Sequence, residues 1–324
     1  MINKKKNHKN TNGRRILLLS ILCLFGFCLV AQVRPQRNAA QPAKSKVYLL
    51  HSDVLKKSKD NSDAQILVGD VSFRHDSIYM YCDSACFYEK TNSLEAFHNV
   101  KFVQGDTLFL YGDYLFYDGN TQLAQVRNNV RMENRTTTLT TDSLNYDRIA
   151  NLGYFFDGGT LMDEENVLTS DWGEYSPATK MSVFNYEVKL VNPQFTLTSD
   201  TLRYNTDTKI ASIVGPSDID SDENHIYSEL GFYYTQQGQA ELLERSVLTN
   251  NGKRMTGDSL FYDRNRGIGE AFRNVELVDT INKNMLTGDY CFYNQLTGYA
   301  FATDRAMATD FSQGDSLFIH ADTL

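Results

Sequence analysis

One supersecondary unit recurs about every 29 residues from near residue 50 to the last residue, and few chains are so tightly constrained. Each copy carries an acidic anchor, usually in Gly-Asp or Ser-Asp: Asp53, Asp83, Asp113, Asp142, Asp171, Asp200, Glu229, Asp258, Asp289 and Asp322. The successive spacings are 30, 30, 29, 29, 29, 29, 29, 31 and 33 residues. Regularity of this kind means one unit stacked on copies of itself, with each copy burying its apolar face against the next.

Aligned on the anchor, each copy has an apolar residue three positions earlier, as in Leu110, Leu139, Leu168 and Leu197. After the anchor the apolar positions change parity. Leu115, Leu144, Leu202 and Leu260 stand two places on, and Tyr117, Tyr146, Tyr204 and Tyr262 four places on. A strand alternates faces with period two, so a parity switch marks a bend at the anchor. A turn follows, as in Asp118-Gly119-Asn120, and the chain returns through a small residue and then Val126, Phe155, Phe184, Ile213 or Leu242 thirteen places after the anchor. A second bend falls at Asn99-Val100, Asn129-Val130 and Asn274-Val275. Each copy is therefore a hairpin of two bent strands, rich in Tyr, Phe, Thr and Val.

The expected fold is all-β: an elongated open stack of about nine bent hairpins, roughly 18 or 19 strands, folded over itself as a trough with one apolar interior. A parallel β-helix is the alternative, and the Asp-Gly-type turns between paired segments favour antiparallel neighbours. Asp83, Asp113, Asp142, Asp171, Asp200, Asp258 and Asp289 are expected to be structural, capping local backbone N–H groups at the bend. The chain stops at Leu324 inside a strand, and reads as truncated or as leaving an edge for a partner.

Lys4, Lys5, Lys6, Lys9, Arg14 and Arg15 precede an apolar run from Ile16 to Ala31. That run suits a secretory signal over residues 1–31, cleaved after Ala31 or retained as an anchor. Residues 32–46 show no periodicity and read as a flexible tether, leaving residues 47–324 as one repeat domain. Removing the leader takes six positive and no negative charges from a formal charge of −8, leaving −14. Counterion release on nucleic acid needs clustered Lys and Arg, and this excludes nucleic acid as a partner. Cys82, Cys86 and Cys291 are odd in number and read as packed or free thiols.

No catalytic or metal constellation stands out. His51, His75, His98, His225 and His320 lack ligand or triad spacing. Asp218, Asp220 and Asp222, with Glu229 at the twelfth position, imitate a calcium loop, but the sixth residue is Glu223 where the turn needs Gly. A solvated acidic loop is the expectation, with no cofactor and no metal. Trp172, the single tryptophan, faces either lipid or solvent.

The hairpin Gly112-Asp113-Tyr114-Leu115-Phe116-Tyr117, repeated at Gly257 to Tyr262 and followed by the Asn-Val bend, resembles the repeat of the OstA-like, LptA-type lipopolysaccharide transport proteins. Met80-Tyr81-Cys82-Asp83-Ser84-Ala85 with Phe97-His98-Asn99-Val100 is especially similar to the OstA-like N-terminal domain of the Bacteroidetes. The resemblance covers residues 47–324. It implies a non-enzymatic β-jellyroll, a "β-taco", that holds the acyl chains of lipid A in its groove. It also implies edge-strand stacking with other Lpt-type jellyrolls, from an inner-membrane anchor to an outer-membrane barrel, in a periplasmic bridge. Head-to-tail self-association belongs to the same expectation. Physics supports a groove independently, because at about 0.8 kcal/mol per buried methylene an acyl chain needs an apolar surface throughout an aqueous crossing. On this reading Leu115, Tyr117, Val126, Leu144, Tyr146, Phe155, Phe184, Leu202, Tyr204, Ile213, Leu242, Leu260 and Tyr262 line the groove. The rivals are a structural or surface β-repeat with a closed core, and a polysaccharide-active β-helix enzyme.

Overall fold

The structure is a computed structural model that describes residues 45–57, 63–221, 224–244 and 246–324. The signal segment, nearly all of the tether, and Asp222 and Glu223 of the acidic loop lie outside the described residues. Residues 45–324 form one compact unit.

Among the described residues there are 24 strands and every pairing is antiparallel, which removes the parallel β-helix and with it the fold assumed for the enzyme rival. Five consecutive pairs, such as Leu152–Phe155 with Gly159–Asp163, are the two halves of one strand interrupted at its bend. Counting each such pair once gives 24 − 5 = 19 bent strands, each hydrogen-bonded to its neighbours in sequence.

The strands Leu108–Asp118 and Leu123–Asn134 show how the bend arises. Leu108 and Leu110 point inward before Asp113, and Leu115 and Tyr117 point inward after it. On the returning strand Ala124 and Val126 face inward opposite Tyr117 and Leu115, while Met132 faces inward opposite Leu110. Between those two halves Asn128 and Asn129 adopt left-handed φ values of 62° and 52°. Two residues on that strand then oppose one on a neighbour, a β-bulge that turns the strand and flips its parity. The left-handed pair recurs at His98-Asn99, Tyr186-Glu187, Arg273-Asn274 and Asp304-Arg305. Asn tolerates this region better than most residues, because its short amide bonds locally.

The bends align into a crease. Residues before each anchor form a first wall, those after it a second, and one continuous apolar core runs between the walls from Val47 to Ala306. At the crease the anchor carboxylates take partners that differ from the expected backbone N–H groups. Asn99 donates to Asp83 at 2.8 Å, Asn129 to Asp113 at 2.6 Å and Asn274 to Asp258 at 3.1 Å, each sixteen residues on, and Arg305 pairs with Asp289 in the same way. The bulge itself places the +16 side chain over the anchor, which explains the difference. Sixteen residues after Asp142, Asp171 and Asp200 stand Gly158, Glu187 and Pro216, which offer no such amide. Beside Asp200, a Ser217–Ser199 hydroxyl bond of 2.8 Å bridges the crease instead.

The two edge strands, represented by Tyr48–Lys57 and Leu317–Thr323, are exposed along nearly their whole length. Tyr48, Leu50, Leu55, Leu317, Phe318 and Ile319 are all at least half exposed there.

Candidate functional site

All thirteen residues expected to line a groove point into the interior and are buried, none more than 3% exposed. They divide by chemistry. Leu115, Val126, Leu144, Phe155, Phe184, Leu202, Ile213, Leu242 and Leu260 fill the middle of the second wall. Two copies have Gly in place of the Leu two residues after the anchor, Gly173 and Gly231. At Gly173 the space is taken by neighbouring aromatics: a Cβ there would sit 2.5 Å from Phe155 Cζ and 3.0 Å from Phe184 Cδ1. Ring and missing side chain are therefore matched across repeats, which keeps the interior close-packed.

The tyrosines do something else. Their rings are interior, but their hydroxyls reach the mouth where the walls meet opposite the crease. Tyr117 Oη lies 2.6 Å from His75 Nδ1, and Tyr146 Oη lies 3.3 Å from Gln104 Oε1 while bonding more closely, at 2.5 Å, to Asn151 Oδ1. Tyr175 Oη donates to Asn134 Oδ1 at 3.2 Å, and Tyr204 Oη to Asp163 Oδ2 at 2.9 Å. His75, Gln104, Asn134 and Asp163 precede their tyrosines by 42, 42, 41 and 41 residues, and each is the last residue of a strand in the first wall. Burial pushes the phenol pKa of Tyr117, Tyr146 and Tyr204 far above the ordinary value, and that of Tyr233 up to about 12, so all stay protonated.

At the centre of this seam Lys209 Nζ lies 2.6 Å from Asp163 Oδ1, both side chains almost wholly enclosed. Asn166 donates to Tyr204 Oη at 3.0 Å and to Thr235 Oγ1 at 3.3 Å, completing the cluster. Arg148 and Arg264 reach across to Asp76 and Gln194, and Lys180 to Asn134. The trough expected to be open along its length is thus bridged at its mouth by a polar seam between His75 and Arg264. Beyond it the closure changes character. Lys253 Nζ sits 5.9 Å above the Tyr293 ring and pairs with Asp279 at 3.2 Å. Below lies a hollow of about 490 Å³ lined by Leu277, Leu286, Ala308 and Ile319 of the first wall and Ala300 and Leu324 of the second.

A family model described as OstA-like protein matches residues 44–200 and 218–308. The chain belongs to the OstA-like family. Among solved structures, this OstA-like chain is similar to LptH from Pseudomonas aeruginosa, described as the LptA homologous periplasmic component of the lipopolysaccharide transport device. The two share 17% identity at a TM-score of 0.34, over 36% of this chain and 98% of that one. No curated protein matches the chain.

The other residues weighed from sequence do not converge on a site in this OstA-like chain. Asp218 and Asp220 lie on the strand Ile210–Ser221, with His225 3.3 Å and 2.8 Å away, on an exposed face. Trp172 is half-buried beside the crease, opposite Asn185. Cys82 and Cys291 are buried free thiols whose pKa desolvation raises to about 12, and they are inert for that reason. Sequence reasoning missed His75, Gln104, Asn134, Asp163 and Lys209. A signal existed: a polar residue stands eight or nine positions before the next anchor at His75, Gln104, Asn134, Asp163 and Asn192.

Proposed function

We propose that this OstA-like chain is a periplasmic, non-enzymatic lipopolysaccharide-binding component of a transport bridge, an elongated jellyroll that shields lipid A acyl chains between its two walls. The observation that carries the reading is the uninterrupted apolar core from Val47 to Ala306 between walls joined covalently only at the crease. Family membership and an export-type leader support it. The exposed apolar edge strand Tyr48–Lys57 supports stacking against neighbouring Lpt-type jellyrolls, an inner-membrane anchor and an outer-membrane barrel among them, or against further copies head to tail.

Photoreactive residues test the groove in cells. One at Phe184 or Ile213 captures lipopolysaccharide, and one at the outward Arg203 does not. Equal labelling at all three removes the groove. One observation favours a second reading, a structural β-repeat with no lipid ligand: the interior is filled by its own side chains and bridged at its mouth. Under that reading none of the three positions labels.

A further inference from the structure

Residues assigned to the groove are sealed from solvent, so a ligand reaches them either through an end of the stack or through the mouth. We propose that the polar seam is a lateral latch: the walls part along the tyrosine line, hinging at the crease, and admit acyl chains side-on. The inference rests on the lipid-binding reading above and deepens it by assigning the route of entry.

Three observations converge on the seam. First, the closure is polar where the rest of the interior is apolar. A mouth shut by Leu and Phe would expose hydrocarbon on opening, whereas Tyr204, Asn166, Asp163 and Lys209 exchange their bonds for water, so opening loses little beyond the net worth of each bond. Second, a buried ion pair is a poor device for stability, since well-packed apolar residues in its place are often as stable or more so. Asp163 and Lys209 sit in the middle of an apolar stack, enclosed and linked only across the mouth, the place where a reversible closure is useful and a permanent one is not. Third, the walls are joined on the opposite side by bulges whose paired left-handed residues recur in register at Asn128-Asn129, Tyr186-Glu187 and Arg273-Asn274. The repeats therefore share one hinge line and one latch line.

The test uses the full mature chain with its native cysteines replaced by serine. Gln104→Cys and Tyr146→Cys place thiols on the two sides of the seam, and a short cleavable bismaleimide joins them. Uptake of purified lipopolysaccharide and of a solvatochromic naphthylamine probe is followed with and without the cross-link. The latch predicts that uptake of both stops in the cross-linked chain and returns after cleavage. A second variant, Tyr204→Phe, removes two seam bonds, to Asp163 and from Asn166, without a cross-link, and uptake then quickens by at least the roughly two- to tenfold carried by one net hydrogen bond. Unchanged uptake in the cross-linked chain overturns the latch and assigns entry to the ends, leaving the lipid-binding reading intact. An absence of uptake in every form, with the cysteine-free chain folded by circular dichroism, overturns the lipid-binding reading and the latch together.

Discussion

Gly173 gives the sharpest check on how the interior is packed. Its backbone is not left-handed, so Ala is tolerated there conformationally, and the objection is space alone. An added Cβ meets Phe155 Cζ at 2.5 Å and Cε1 at 2.7 Å, the rigid end of a ring that cannot retreat. Overpacking of this kind costs about 1–3 kcal/mol. Phe155→Ala alone costs about 3–5 kcal/mol through the cavity it leaves. With the ring gone the Gly173→Ala methyl keeps only its 3.0 Å approach to Phe184 Cδ1, a ring that can shift into the vacated space, and the lost freedom of the unfolded glycine then stabilises by about 0.4–1 kcal/mol. The effect of Gly173→Ala therefore changes sign between the two backgrounds, a coupling of about 1.4–4 kcal/mol, within or just above the range seen for touching residues. Urea titrations of the four proteins by far-ultraviolet circular dichroism measure it, with stability compared at constant slope. A Gly173→Ala penalty that is the same with and without Phe155 refutes the matching of ring to missing side chain.

The crease makes its own prediction: Asn129→Gly keeps the left-handed backbone and loses only the bond to Asp113, whereas Asn129→Ala also bears the left-handed strain of about 1–2 kcal/mol, so Ala is the less stable of the two in thermal melts. Asp200→Ala, at a crease position with no amide partner, costs less than Asp113→Ala, and a larger loss at Asp200 counts against the side-chain pairing. Burial holds His75 below its ordinary pKa of 6.5. The unfolded chain then binds the proton first, so stability falls as pH drops below about 6.5, and His75→Gln flattens that part of the pH profile while keeping an acceptor for Tyr117. Gly231→Ala directs its methyl 2.4 Å from the Glu241 carbonyl oxygen, a backbone atom, so no single side-chain truncation rescues it; rescue by Leu242→Ala contradicts that contact.

What could be read in the sequence follows from range. Hairpins, bends and inward positions depend on residues within one 29-residue unit, and nine copies in register give 18 or 19 strands from sequence against 19 bent strands in the fold. Asp83, Asp113, Asp258 and Asp289 bond to side chains sixteen residues on rather than to local backbone N–H groups, because pairs such as Asn129 and Asp113 come together only once the bulge is formed. The seam lay further out of reach. Its bonds join residues 41 or 42 apart, neither one period nor half of one, and strand tilt alone determines that offset. Asp163-Glu164-Glu165 reads locally as a solvated acidic turn, and only the Lys209 ammonium arriving from the other wall makes Asp163 interior. Tyr117 and Tyr204 were assigned to the apolar lining by their rings, whereas their hydroxyls do the closing.

The offset of the tyrosine bonds has a mechanical meaning. Tyr117 stands three strands beyond the strand that ends in His75, and at about 4.8 Å between strands the two walls are sheared by about 14 Å, much as a barrel is when it closes. Wherever a sheared stack stops, one wall projects past the other, on opposite sides at its two ends. In the stacking proposed above, two such molecules meeting end to end would join as a lap joint, in one polarity only. Direction along a chain of these molecules is then a property of strand tilt, present before any ligand is bound.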